Sequence, residues 1–299
     1  MSAETAPQPT NLRHISNSEV STWLSCQRKY YYNFDLNLAP HNWGQSMSRG
    51  LLGHEILAVY YTILKDGGTH AEAIEAAEEQ LALAMSSGKW DLDITVDVAR
   101  ILGRYWPYAA RDNWEILAVE SKQSLQLTDE YDLTLRLDLL VREPAGNLAI
   151  VDHKFVYDFY SSEAVQFMPQ LPKYLTTLNF NGLHVERGII NQLRWRMRKN
   201  PPPMTDEELF KRSIIKPSDN KQRSILREQI MASRQIVEHR RLPIEVRERS
   251  VLRHQSKMNC QNCSYRMPCL IEQDGGDASH ELELNFIPND YDYNSGETE

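Results

Sequence analysis

The hydrophobic positions of this chain change period twice. From Ser16 to Asn113 apolar residues recur at helical spacing, from Glu115 to Phe155 they partly alternate with polar ones, and beyond Ser161 helical spacing returns. Ser16-Asn17-Ser18-Glu19 reads as a capping box for a helix running to about Tyr32, with Val20, Trp23 and Leu24 on its apolar side. A second helix is expected from about Ser46 to Lys65, closed by Gly67-Gly68, and a third, rich in Ala and Glu, from Thr69 to Gly88. A fourth covers Asp91 to Asn113 and should bend at Pro107. Glu115–Thr128, Tyr131–Glu143 and Leu148–Phe155 read as strands, the last two joined by the turn Pro144-Ala145-Gly146-Asn147. Helix follows over Ser161–Asn181, strand over His184–Trp195, a loop at Pro201-Pro202-Pro203 and a basic helix over Asn220–Arg241. There is no internal repeat, and the order implies a mixed α/β core with a helical N-terminal part folded over it.

Composition changes this picture little. At 299 residues the chain can bury a real core, and 41% hydrophobic with 25% charged residues is ordinary for a globular protein. No apolar run is long enough for a membrane span, and MSAETAPQPT has neither the basic start nor the apolar centre of a secretory signal. A reducing, intracellular, cytoplasmic setting is therefore expected, in a bacterial, archaeal or phage-infected cell. There, four cysteines suggest metal or chemistry before disulfides. The net charge of −8 is uneven: residues 274–299 carry eight acidic and no basic residues, while Arg187–Lys257 holds 18 Lys or Arg against 8 Asp or Glu. A basic half with an acidic tail suits a phosphate-backbone partner, though a solvated charged surface would look the same.

The chemistry concentrates in the hairpin. A three-residue loop pairs Glu143 with Asn147, and the constant index sum of an antiparallel pair then sets Asp138 opposite Asp152, with Lys154 on the same face. A four-residue loop would break that register unless a bulge restored it. Two carboxylates facing each other among Leu135, Leu137, Leu139, Ile150 and Val151 repel unless a cation lies between them. A hard ion such as Mg²⁺ or Mn²⁺ suits the oxygens, and a lysine beside it could orient water on a phosphate. A plain ion-pair network among Asp138, Asp152 and Lys154 would give the same pattern.

All four cysteines fall into one arrangement, Cys26 and then Cys260-x2-Cys263-x5-Cys269, and four thiolates suit either zinc or an iron–sulfur cluster. Just after Cys26, Arg28, Lys29 and Tyr30 begin a basic and aromatic run suited to single-stranded nucleic acid, although the tyrosines could equally be packing residues. Arg194, Arg196 and Arg198 alternate beyond a strand and could line a DNA groove.

Asp138 followed by Asp152-His153-Lys154, the latter preceded by Ala149-Ile150-Val151, resembles the D…(D/E)xK signature of the PD-(D/E)xK nuclease superfamily. Gly50-Leu51-Leu52-Gly53-His54 resembles the GxxxH of its RecB-like members, a group that includes AddB-like and CRISPR-associated nucleases. Gln170-Leu171-Pro172-Lys173-Tyr174 resembles their QxxxY, and Glu120 sits where they carry a glutamate on the first core strand. Leu135 stands where the family often has glycine, and Pro172 inside QxxxY is unusual. The resemblance spans about residues 15 to 270. It implies a restriction-endonuclease-like α/β core, a central mixed sheet flanked by helices, with a C-terminal iron–sulfur clip. It implies metal held by His54, Asp138, Asp152 and the carbonyl of His153, and catalysis by Lys154 with Glu120, Gln170 and Tyr174. It also implies a [4Fe–4S] cluster on Cys26, Cys260, Cys263 and Cys269.

The function expected on this basis is a metal-dependent DNA exonuclease acting on single strands or ends in recombination, repair or end processing. A spacer-trimming nuclease beside an integrase, a non-catalytic DNA-end-binding subunit and a ribonuclease are the alternatives. No GxxxxGK[ST] is present, so unwinding would need a partner helicase. The expected organisation is a disordered start (1–14), a helical part with the first cysteine and His54 (15–114), the nuclease core (115–200), a basic cysteine-bearing region (201–273) and a disordered acidic tail (274–299).

Overall fold

Alternation of apolar residues builds the strands and capped amphipathic stretches build the helices of the structure, a computed structural model that describes residues 13–41, 44–198 and 202–289. In chain order they are β1 (Arg13–Ser16), α1 (Asn17–Ser25), α2 (Gln27–Tyr30) leading into a π turn, and β2 (Leu38–Pro40). Next come α3 (Gln45–Lys65), α4 (His70–Ser86), α5 (Leu92–Ala109), β3 (Glu115–Gln126), β4 (Tyr131–Arg142) and β5 (Leu148–Val156). Then follow α6 (Ser162–Gln166), α7 (Gln170–Phe180), β6 (Arg187–Arg194), α8 (Asp206–Leu209), β7 (Phe210–Ile215) and α9 (Asp219–Arg241). The remainder is α10 (Ile244–Ser250), α11 (Lys257–Gln261), α12 (Arg266–Gln273), α13 (Ser279–Asn285) and β8 (Phe286–Pro288).

These elements form two compact units. One gathers the described residues of Gly44–Gln123 and Arg136–Ile225. Its sheet is mixed: β4 and β5 are antiparallel, β5 and β6 parallel, and β6 and β7 antiparallel, with β3 also bonded to β4. Helices flank it. Leu52, Ile56 and Tyr60 of α3, Ala73 and Ala77 of α4, and Ile101, Leu102 and Tyr105 of α5 bury against Leu139, Val141, Val151, Phe155, Ile189 and Leu193. The approach of α3 is close enough that a Cβ added at Gly53 would lie 2.2 Å from the Phe155 ring. From α7, Leu171 closes on the strands: a Cβ at Gly188 of β6 would lie 3.0 Å from its side chain.

The other unit draws on both ends of the chain: the described residues of Met1–Trp43, Ser124–Leu135 and Leu226–Glu299. Here β1 pairs in parallel with the first residues of β4, and β2 pairs antiparallel with β8. Its core joins Ile15, Val20, Trp23, Tyr30 and Tyr32 with Ala232, Ile236, Tyr265 and Phe286.

Several expectations need correction. The first helix breaks at Cys26, whose backbone is extended at φ −166°, while Arg28 N–H donates to Leu252 O. The helix expected over Ser161–Asn181 is two, because Pro169 caps the second and Pro172 falls within its first turn, where a missing N–H costs nothing. β7 had no distinct sequence signal. Of the acidic tail, residues 279–288 form α13 and β8, because Phe286 stacks on Tyr265 at 5.0 Å and Leu282 joins the same core. Arg13 and His14, expected in a disordered start over 1–14, open β1 because Arg13–Ser16 pairs with Tyr131–Thr134; the rest of that start, residues 290–299 of the tail and the loop at Pro201 lie outside the described residues.

Candidate active site

The hairpin register is the one that a three-residue loop demands. Glu143 N–H donates to Asn147 O at 2.9 Å, Gly146 takes φ +88°, and Leu139 pairs with Val151 and Val141 with Ala149. Backbone pairing stops at Leu139, and beyond it the Asp138 carboxylate itself accepts the His153 N–H at 2.7 Å. His54, one residue after the glycine that brings α3 onto β5, places Nδ1 3.3 Å from Asp138 Oδ2.

Glu120 completes the cluster by a route the sequence did not disclose. In the middle of β3 its backbone is at φ +46°, a left-handed conformation that costs a non-glycine residue about 1–2 kcal/mol. With this kink, ligand atoms of His54, Glu120 and Asp138 all lie within 4.8 Å of one another. Two ligands on opposite sides of a Mg²⁺ or Mn²⁺ ion are ~4.3 Å apart, so the cluster is close to coordination distance.

A second chain of contacts leads away from Asp152. Lys154 Nζ lies 3.0 Å from Asp152 Oδ1 and donates to Gln170 Oε1 at 2.8 Å, while Gln170 Nε2 donates to the Tyr174 hydroxyl at 3.0 Å. Gln170 and Tyr174, i and i+4 at the start of α7, thus hold the lysine in place. Asp152 is 1% exposed, and its Oδ2 accepts no hydrogen bond, having only the ion-pair contact with Lys154 at 2.9 Å.

Burial dominates the electrostatics. It pushes Asp138 and Asp152 up to about 6, with Lys154 opposing, and Glu120 up to about 7, with Asp138 adding to the rise. Burial also lowers His54 to about 4, which keeps its imidazole neutral and able to bind a metal. Burial works against the Lys154 ammonium, but Asp152 and Asp138 outweigh it and raise its pKa. One buried carboxylate whose Oδ2 meets only the Lys154 ammonium, and two half-buried ones that likewise resist ionisation, form beside a neutral imidazole a donor set that fits a hard divalent cation. Under His153, Asn191 Nδ2 reaches His153 Nδ1 at 2.9 Å and donates to the Tyr105 hydroxyl at 2.8 Å, anchoring the strand whose N–H serves Asp138.

The nucleic-acid candidates fare differently. Arg28 and Tyr30 are buried and used up: Arg28 pairs with Glu272 and stacks on Tyr31 and Tyr32, and the Tyr30 hydroxyl donates to Glu19 at 2.7 Å. Neither can present itself to a strand, because the run packs the N-terminal helices into their own core; Lys29 is half-buried. Arg196 and Arg198 are exposed and Arg194 half-buried, all at the end of β6. The four cysteines are half-buried free thiols of the second unit. A cavity of about 700 Å³ opens at the opposite ends of β5 and β6, beside Gly146 and His184, and includes none of the site residues.

The fold and site together define a class in which a mixed sheet presents an Asp, an Asp-x-Lys and a helical His around one point. Matching the sequence model of the PD-(D/E)XK nuclease superfamily over residues 14–270, the chain belongs to that superfamily and is a nuclease. The crystal structure of a protein designated SSO0001 is similar at 12% identity and TM-score 0.40, covering 88% of this chain and 87% of that one. A candidate exonuclease from Eubacterium rectale is similar at 11% identity and TM-score 0.49, covering 83% and 88%. No curated protein matches the sequence. Among the described residues, no helix is long and apolar enough to cross a membrane.

Proposed function

We propose that the protein is a divalent-metal-dependent deoxyribonuclease of the RecB-like kind, an exonuclease on single-stranded DNA or DNA ends that serves recombination, repair or end processing. The observation that carries this reading is the convergence of His54, Glu120 and Asp138 within 4.8 Å, next to an ion-paired Asp152–Lys154. His54, Glu120, Asp138 and Asp152 would hold Mg²⁺ or Mn²⁺, with the carbonyl of His153. When bound, such an ion polarises a phosphoryl oxygen and acidifies water.

The remaining chemistry belongs to the chain. Lys154, kept protonated by Asp152 and Asp138, is no general base; its Nζ donates hydrogen bonds to the attacking water and to a non-bridging phosphate oxygen. Gln170 fixes the rotamer of that lysine, and Tyr174 fixes the orientation of the Gln170 amide. The anchored His153 backbone holds Asp138 in place.

A [4Fe–4S] cluster on Cys26, Cys260, Cys263 and Cys269 belongs to the same proposal. In support, Cys26 and Cys269 lie near enough to Cys263 to add to the rise that burial gives its thiol. Asn259 donates to Ser25 O at 3.2 Å, which braces the residue before Cys26 beside the residue before Cys260. The test of substrate is digestion of end-labelled linear single- and double-stranded DNA alongside circular DNA, with Mg²⁺ or Mn²⁺. Mononucleotides released from linear single strands, with circles untouched, are expected; nicked circles would replace the exonuclease reading with an endonuclease.

A further inference from the structure

We infer that a cavity at the C-terminal ends of β5 and β6 seats an unpaired nucleotide of the substrate strand, stacking its base on Tyr157 and its phosphate against Arg194 and Arg196. This rests on the nuclease reading for the identity of the strand, and on its own geometry for the rest. The cavity, about 510 Å³, is lined by Tyr157, Asp158, Arg194, Arg196, Met197 and Arg198 among others. Tyr157 sits at a bend one residue beyond β5, and Arg194 ends the neighbouring strand β6.

The wall has the chemistry of a base-stacking platform. Tyr157 is 49% exposed, yet its ring meets the Trp195 indole edge-to-face at 4.9 Å and 65°. The Arg49 guanidinium lies 4.3 Å from the Trp195 ring and is itself tied to Asp97 at 2.8 Å, so the platform is fixed before any ligand arrives. Arg196 lies 4.8 Å from the Tyr157 ring centroid and Arg194 4.2 Å from that of Phe159. A rigid aromatic surface flanked by guanidinium planes takes any base and its phosphate, and takes it unpaired.

The charges here are underused. Arg194 and Arg196 share one carboxylate, Asp158, at 3.5 and 3.1 Å, and that carboxylate is 53% exposed. Arg198 pairs with Glu208, which leaves three guanidiniums facing two carboxylates. Arg194 Nε is buried without an acceptor among the described residues. Asp158 stands where a phosphate would bind, so the strand displaces it on arrival, and its charge opposes binding.

The test is fluorescence anisotropy of a fluorescein-labelled deoxythymidine oligonucleotide titrated with the full chain in EDTA, so that no cleavage occurs. Tyr157→Ala and Arg196→Ala should each weaken binding roughly ten-fold, the scale of one stacked base or one charged contact. Arg196→Ala should also reduce the slope of log affinity against log salt by about 0.7, the value for one phosphate of a single strand. Asp158→Asn should tighten binding, a sign that a packing role for Asp158 would not produce. Wild-type affinity in Tyr157→Ala, weaker binding in Asp158→Asn, or equal binding of a blunt duplex would each overturn the inference. Because binding is read without metal, a protein that shows this pattern but cleaves nothing would sink the nuclease reading alone. One that cleaves DNA while its cavity variants bind normally would sink the cavity alone.

Discussion

A carboxylate shielded from water without a cation tends to keep its proton, and three of them, Asp152 buried and Asp138 and Glu120 half-buried, mark this site. Asp138 and Asp152 are pushed up to about 6 and Glu120 to about 7, mainly by burial. Each folded-state pKa lies above its unfolded value, so the metal-free protein gains stability from these groups at pH below about 4 and loses it as pH rises through about 6 to 7. Mg²⁺ binds the ionised forms, so its stabilisation grows over the same window. Thermal melts in EDTA and in Mg²⁺ across that range check this, and Asp138→Asn should flatten the EDTA profile; an EDTA profile equally steep in that variant would refute it. Lys154→Ala should lower cleavage by at least a hundred-fold, and Gln170→Ala by roughly ten-fold, since the lysine remains but loses its tether. Rates from single-turnover digestion measure both, and an undiminished Lys154→Ala rate would remove the lysine from the mechanism. The hairpin register that carries Asp138, Asp152 and Lys154 was legible from sequence because loop length fixes which residues face each other. The burial of Arg28 and Tyr30 was not, because basic and aromatic side chains serve a buried cluster as well as a nucleic-acid surface. The kink at Glu120 was invisible too, since nothing local marks a glutamate at φ +46°.

At the level of elements, the position of His54 depends on how closely α3 can lie on β5. Gly53 makes that approach possible, and a methyl group there would sit 2.2 Å from the Phe155 ring. Gly53→Ala should therefore cost about 1–3 kcal/mol of stability and weaken Mg²⁺ affinity as α3 moves off the strand. Adding Phe155→Leu to make room should restore part of both, as chemical denaturation and metal titration would show; no cost in Gly53→Ala would mean the helix is not held by that contact. Helices with clear caps were readable: Thr69 and Glu72 form the capping box of α4, and α9 covers the basic stretch expected of it. The break between α6 and α7 went unread because helical spacing of apolar residues continues across Pro169. β2 and β8 were missed because three-residue strands carry too little pattern, and their pairing joins residues about 250 apart.

On the scale of the molecule, one compact unit draws on both chain ends and holds all four cysteines. A shared cluster would close a loop of more than 230 residues, worth several kcal/mol of unfolded-chain entropy by analogy with a disulfide of that span. Anaerobically purified protein should be brown, with iron and acid-labile sulfide in near-equal amounts. Cys26→Ala should lose the colour and expose both ends to hydrogen exchange, while the amides around Leu139 and Ile189 stay protected. Zinc in place of iron would replace the cluster but keep the closure; unchanged metal content and exchange in Cys26→Ala would dismiss both. The overall net charge concealed the distribution of charge, which is why an acidic chain remained a candidate for a polyanionic partner. The central claim is that buried carboxylates beside Lys154 drive metal-dependent phosphodiester hydrolysis, and one comparison addresses it most directly: cleavage of end-labelled single-stranded DNA in Mn²⁺ by wild-type protein and by Asp152→Asn, which keeps the size of the side chain and removes its charge. Rapid cleavage by the first, abolished by EDTA, and a loss of at least a hundred-fold in the second while it stays folded is the predicted result; equal rates from the two proteins would contradict it.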